Sequence, residues 1–428
     1  MRLVVQALAM ACTILVLGCD HATPLPQPTA GGTGTGGTGT GGTMVLSMGD
    51  NVVPLVSDSG ATYLKDGKQT PTGYTNGLFA TVTVCEPGTA NCQVIDHVLV
   101  DTGSVGLRIL ESVLTLNLPP SMNAAGVPLA ECTQFVDGDT WGPLLLADVS
   151  LGKEVIPSPV IQSVGTAKYA LPTGCTGEPI NNIETLGSNG ILGVGLFKQD
   201  CGSNCTRSPA AQATGGAAYF ACEGVSSCAL ASVALDKQLQ NPVVLLPQDN
   251  NGVIIELPAV AANGAPSVTG AMVLGIGTRE NNALGTAAIL TTDRYGFMDA
   301  YYPVGGTNHR GFIDSGSNGL FFLDTAKTQI PTCTTNSDFY CPKSTMKIAM
   351  ALGGINGVKT NLTLQVGNAN TLFGDSRNFV YGDLAGPMPS DPTLPGFDLG
   401  LSFHFGRRVY SAIEGQDTPA GKGPYFAL

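Results

Sequence analysis

Charge is scarce in this chain: 12% of its 428 residues are Asp, Glu, Lys or Arg, with 20 basic against 32 acidic. No basic run occurs, and a net charge of −12 argues against nucleic acid or anionic lipid surfaces as partners, since both are held by clustered Lys and Arg. Histidine is rarer still. His21, His97, His309 and His404 are scattered, each reads as a tether, structural or surface residue rather than a ligand, and no HExxH pair exists to hold a catalytic zinc. The Gly-x-Ser-x-Gly elbow of a serine hydrolase is also missing. The glycine run from Gly31 to Gly42 lacks the Lys-Ser/Thr ending of a phosphate loop. No nucleotide, metal or other cofactor is implied.

Glycine, by contrast, is abundant, and Val, Thr, Ile and Leu recur in short runs broken by Gly, Pro and Asn. That pattern predicts mostly strands and turns. The one longer helical spacing runs from Ala229 to Gln240, which suggests a helix packed under a sheet. The length favours two domains or lobes over one.

The first residues read as a processing segment. Met1-Arg2 carries the positive charge, and Leu3 to Leu17 is apolar but short for a membrane span. Val16-Leu-Gly-Cys19 is similar to a bacterial lipobox, so residues 1–19 are expected to be a lipoprotein signal with Cys19 lipidated; a plain signal peptide cut nearby is the alternative. Residues 20–45, rich in Pro, Gly and Thr, cannot build a core and read as a tether. The expected location is the bacterial cell envelope, facing the periplasm or the exterior, with the lipid anchor as the one membrane contact.

Twelve cysteines fit export. With Cys12 lost in the leader and Cys19 taken by lipid, close spacing suggests Cys85 with Cys92, Cys201 with Cys205, Cys222 with Cys228, and Cys333 with Cys341. Cys132 and Cys175 are left to pair. A metal site competes with this reading, but the pairs are not CxxC and no His lies beside them.

The chemistry is carried by a pattern that occurs twice. Val98-Leu-Val-Asp101-Thr102-Gly103-Ser104 and Gly311-Phe-Ile-Asp314-Ser315-Gly316-Ser317 each run an apolar strand into a glycine turn bearing one carboxylate, and each leaves through a second apolar strand. At nearly matching distances beyond them come Asn189-Gly-Ile191-Leu192-Gly193 and Phe397-Asp-Leu399-Gly400. Such strands would pass behind the Asp turns, where glycine alone leaves room. The repeat reads as internal duplication. Asp58-Ser59-Gly60 is a third triplet, but without flanking apolar strands it reads as an ordinary turn.

The duplicated turns resemble those of the pepsin-like, two-lobed aspartic proteases, here in a bacterial lipoprotein branch. The resemblance extends from about Val52 to the end of the chain. Gly77 to Val84 is similar to the family's early strand, Phe135 to Gly142 to its flap hairpin, Gly270 to Thr278 to the opening of its second lobe, and Leu399 to Ile413 to its closing segment. It implies an all-β, bilobal fold with a few short helices, first lobe 46–240 and second lobe 241–428. It further implies a catalytic pair, Asp101 and Asp314, that activates water to hydrolyse a peptide or protein substrate. Thr102, Gly103, Ser104, Ser315, Gly316 and Ser317 would support the pair, and Phe135, Gly138 and Trp141 would line the substrate cleft.

Two departures stand out. Phe135 occupies the place of the flap tyrosine, and Arg108 the place of its tryptophan partner. Arg108 reads either as a cation near the cleft or as a solvent-facing or locally ion-paired strand residue. The alternatives to a peptidase are a non-catalytic peptide- or protein-binding envelope lipoprotein on the same scaffold, and a purely structural one.

Overall fold

The computed structural model describes residues 44–165, 167–207, 217–388 and 395–428. Cys19, the leader and most of the tether therefore lie outside the described residues. Strands dominate, and the described α-helices are four-residue turns at Ile183–Leu186, Thr325–Thr328, Ala369–Leu372 and Leu401–His404.

Each Asp motif folds into the same three-strand unit. In the first, Cys92–Asp101 enters the turn, Val105–Leu110 leaves it, and Gly190–Val194 lies between them. Leu192 stands opposite Val100 in the parallel pairing and opposite Leu107 in the antiparallel one. In the second, Thr307–Ile313 enters, Leu320–Phe322 leaves, and Leu399 of Phe397–Leu399 stands opposite Ile313 and Leu320 in the same two senses. The registers superimpose residue for residue, so the sequence repeat is a structural repeat. A Cβ at Gly193 would lie 2.5 Å from the Val105 nitrogen, and one at Gly400 2.1 Å from the Gly319 oxygen. Any larger residue would push the central strand off its Asp turn.

Two main apolar cores follow. Val82, Val100, Leu107 and Leu192 belong to one, and Ile313, Phe322, Leu352 and Leu399 to the other. Each such buried aliphatic or aromatic side chain contributes roughly 1.5–3 kcal/mol. The halves are also stitched by shared strands: Val52–Ser57 pairs with Val268–Leu274, which pairs with Gly252–Leu257, which pairs with Arg407–Ala412. Val253, Met272 and Leu401 accordingly pack into the first core although they lie beyond residue 240.

All ten cysteines between Cys85 and Cys341 are joined, as Cys85–Cys92, Cys132–Cys175, Cys201–Cys205, Cys222–Cys228 and Cys333–Cys341. The helix expected over Ala229–Gln240 does not form. Cys228–Leu230 is a strand, and only Leu235–Lys237 makes a 3-10 turn. Long-range bonds win over local periodicity here, with Ala231 N donating to the Tyr219 oxygen and Val233 N to the Cys205 oxygen.

Arg108 is fully buried rather than solvent-facing, at 1% exposure. Its guanidinium donates to Val105 O at 2.6 Å and Thr133 Oγ1 at 3.0 Å, and pairs with Glu131 at 3.2 Å and Asp200 at 3.3 Å. Two acids share one cation, and burial together with the Glu131 charge pushes the Asp200 carboxyl well above its ordinary range. Removing one partner of a buried pair strands the other. Arg108→Met is therefore expected to destabilise the protein by about 3–5 kcal/mol, read as a lower urea midpoint at unchanged slope; a change below about 1 kcal/mol would place the pair among the weak surface type.

Candidate active site

The two Asp turns face each other across the junction of the repeats. Asp101 and Asp314 are both completely buried. Asp101 Oδ1 accepts the N–H of Gly103 at 2.8 Å and of Ser104 at 3.0 Å. Asp314 Oδ1 accepts the N–H of Gly316 at 2.8 Å, while Ser317 Oγ lies 2.9 Å from Oδ2. Gly316 is needed for this approach, because a Cβ there would stand 2.7 Å from Asp101 Cγ and 3.1 Å from Asp314 Oδ1.

Asp101 Oδ2 is buried and receives no N–H or O–H from the described residues. The Asp101 and Asp314 carboxyls interact with each other. Burial, then the charges of Asp101 and Asp398, push the Asp314 pKa well above the carboxylate range. Two adjacent buried carboxylates cannot both ionise readily, so an arrangement of this kind can hold one proton between two acids.

The turns are locked by a reciprocal lattice. Thr102 N donates to Ser315 Oγ at 3.1 Å, and Ser315 N donates to Thr102 Oγ1 at 2.9 Å. Each hydroxyl then donates to a strand of the opposite repeat, Ser315 Oγ to Val100 O at 2.7 Å and Thr102 Oγ1 to Ile313 O at 3.4 Å. Asn76 adds a second clasp beside it: its side-chain nitrogen donates to Asn318 O at 2.8 Å and Tyr381 O at 2.9 Å, and its oxygen accepts the Tyr381 N–H at 2.7 Å.

The supporting residues thus divide. Thr102 and Ser315 hold the two repeats together, Gly103 and Gly316 give N–H groups to the carboxylates, and Ser317 contacts Asp314 directly. Ser104 contributes its N–H, while its buried hydroxyl has no hydrogen-bond partner among the described residues.

Phe135 to Gly138 form the tip of a hairpin between Leu129–Gln134 and Asp139–Leu146, closed by Phe135 N on Gly138 O at 2.8 Å. The expectation that Phe135 and Trp141 meet substrate needs correction. Phe135 is 6% exposed and packs with Leu110, Val164 and Ile191. Trp141 is 2% exposed, donates to Tyr169 O at 3.1 Å and stacks edge-on against Phe220. Apolar rings are drawn into the lobe interior, which leaves Val136 exposed and Asp137 half-buried at the tip. Asp58 of the third triplet caps Gly60 N at 2.9 Å and meets His97 at 3.3 Å, as an ordinary turn residue does.

Two further carboxyls were not singled out from sequence. Asp137 has its pKa pushed up to about 7, mainly by burial and also by the Asp101 charge. Asp398 is 3% exposed and lies 2.6 Å from Ser317 Oγ through Oδ2. The available signal was an acid in an apolar strand, at the position where the first repeat has Ile191.

The fold is similar to that of pepsin-like aspartic proteinases. The chain is similar to the crystal structure of an aspartic proteinase from Irpex lacteus, with a TM-score of 0.51 and 14% identity over 88% of this chain and 96% of that one. At that identity the likeness concerns the fold alone. By sequence the chain belongs to the DUF3443 family, proteins of unknown function, whose model matches residues 51–428. No curated protein matches it by sequence.

Loss of the lattice leaves buried donors without acceptors. Ser315→Ala should destabilise the protein by about 1–3 kcal/mol, the cost of an unsatisfied buried group. Thr102→Val should lose a similar amount, and the double variant less than their sum, because the two share partners. Strict additivity in chemical unfolding would show the hydroxyls to act independently.

Proposed function

We propose that the protein is an aspartic endopeptidase that hydrolyses peptide bonds with water activated by Asp101 and Asp314. The observation that carries this reading is the opposition of two fully buried carboxyls on superimposable turns, one with its pKa driven well upward by burial and by its neighbour's charge. In this reading Asp314 carries the shared proton when substrate binds. Asp101, whose anionic form is stabilised by two backbone N–H groups, takes a proton from the attacking water. Asp314 gives its proton to the scissile carbonyl as charge develops there. The pair titrates as one unit, so its apparent pKa values belong to neither residue alone.

The substrate would lie extended in the cleft beneath the Val136–Asp137 tip. A second reading, a non-catalytic peptide- or protein-binding module, is favoured by one feature, the absence of a hydroxyl at Phe135 and the withdrawal of its ring from the cleft. Cleavage of a broad peptide library from acidic to neutral pH, read by mass spectrometry, separates the two. Asp101→Asn, Asp314→Asn and the double variant should each lose about 10²–10⁴-fold in kcat/KM, the range for a positioned acid–base group, and reach a common floor. Asp58→Asn should behave as wild type. Peptide binding without cleavage, surviving both changes, would leave the binding module standing.

Export and lipid anchoring through Cys19 complete the proposal, supported by five disulfides of the kind that persist in oxidising compartments. Cys19→Ala should move the protein from the membrane to the soluble fraction, as one acylated cysteine with more than one chain holds where a single chain does not. Unchanged membrane association would refute the anchor.

A further inference from the structure

The pseudo-symmetry of the two repeats fails at one side chain, and it fails beside the carboxyl pair. Ile191 and Asp398 occupy equivalent places: Ile191 stands opposite Leu99 and Arg108, and Asp398 opposite Phe312 and Phe321. Ile191 packs in an apolar cluster with Leu110 and Phe135. Asp398 instead buries a carboxyl within the apolar strand and joins it to Asp314 through one hydroxyl, since Ser317 Oγ lies 2.6 Å from Asp398 Oδ2 and 2.9 Å from Asp314 Oδ2. The equivalent hydroxyl, on Ser104, has no hydrogen-bond partner among the described residues.

A serine hydroxyl carries one proton. It can donate to one of the two facing oxygens; the other contact requires a proton on a carboxyl, which then donates to Ser317. Asp398 Oδ1 is also buried, with no hydrogen-bond partner among the described residues. An ionised Asp398 would leave that oxygen unsolvated, and protonation removes the cost.

From this geometry we propose that Asp398 is a third proton-holding carboxyl of the site, a positioning residue that acts through Ser317 to keep the Asp101–Asp314 proton in place at higher pH than the pair alone would hold it. The inference rests on the peptidase reading for its kinetic consequence but not for its protonation. While Asp398 is neutral it adds no charge. Once it ionises, its negative charge opposes loss of the proton still shared by the pair, and the alkaline limit of the working state moves upward.

The charged groups that face Asp398 are few. Asp101 and Asp314 interact with it directly. On the entering strand, Arg310 turns to Phe297 and Asp293, and His309 stacks on Phe397. In the following helix, His404 is held neutral by burial, its pKa lowered to about 4, and Arg407 beyond it lies over the Phe403 ring. No cation of these elements pairs with Asp398 among the described contacts. Burial, opposed by the Ser317 hydrogen bond and aided by the Asp101 charge, raises its pKa to about 8.

The sign follows. The folded protein binds a proton on Asp398 that the unfolded chain releases near pH 4, so the stability from this group is fully present below that pH and is lost as pH rises toward 8. The test compares Tm against pH for wild type, Asp398→Asn and Asp398→Ile, the last restoring the residue of the symmetric position. Both variants should show a shallower fall in Tm than wild type between pH 4 and 8. Equal slopes in wild type and either folded variant would overturn the proposal, whatever the protein's activity.

The kinetic arm uses the same proteins on a cleaved peptide. In Asp398→Asn the alkaline limb of kcat/KM should move down by about one pH unit, the lower end of a near-neighbour charge effect, with KM at the optimum unchanged. An unmoved limb would overturn the role assigned to Asp398 in the pair. A wild type that cleaves nothing while the Tm slopes differ would remove the peptidase reading and leave the third proton-holding carboxyl in place.

Discussion

Everything at the centre of this protein depends on four hydrogen bonds that Thr102 and Ser315 make across the two repeats, two of them with each other. Each residue uses its N–H and its hydroxyl toward the opposite repeat, so neither Asp turn can shift without the other. That constraint is what makes the approach of Asp101 and Asp314 tolerable. Two buried carboxyls would otherwise separate or draw in water, because desolvation and mutual repulsion both oppose their charge. The shared strands that tie Val52–Ser57 to the second half carry the same constraint outward to the cores.

The parts of the site legible in the sequence are those dictated by backbone geometry. Asp-Thr-Gly-Ser and Asp-Ser-Gly-Ser, with Gly193 and Gly400 behind them, are recognisable because only glycine fits where the contacts fall below 3 Å. The close cysteine pairs were readable for a similar reason, since short loops leave few choices of partner. What escaped were features set by distant packing. Arg108 reads as a cleft cation, a solvent-facing residue or a locally ion-paired one until Glu131 and Asp200 are brought to it from elsewhere in the chain. Phe135 and Trp141 sit in a hairpin that aligns with a flap, but their rings fill the lobe interior. Ala229–Gln240 has helical spacing, and it lost that conformation to hydrogen bonds with Tyr219 and Cys205.

Asp398 illustrates a different limit. It was visible in Phe397-Asp-Leu-Gly as an acid among apolar residues, yet its meaning depends on the 2.6 Å contact with Ser317. The duplication supplies the comparison that sequence alone lacked: at the equivalent place the first repeat has Ile191, and its serine hydroxyl has no hydrogen-bond partner among the described residues. The two halves share a backbone plan and differ in the side chain behind the Asp turn, Ile191 in one and Asp398 in the other. Together with Asp137 at the hairpin tip, the junction gathers four carboxyls, of which Asp137, Asp314 and Asp398 have pKa values raised by burial.

The central claim is that Asp101 and Asp314 act as one proton-sharing unit complementary to a tetrahedral intermediate. Calorimetric binding of a peptide mimic bearing a hydroxyl in place of the scissile carbonyl tests it most directly, because such a group is held by the paired carboxyls rather than by the rest of the cleft. The account predicts tight binding to the wild-type protein, accompanied by a pH-dependent proton exchange, and loss of both in Asp314→Asn. Equal affinity for the two proteins, with no proton taken up or released, would contradict it.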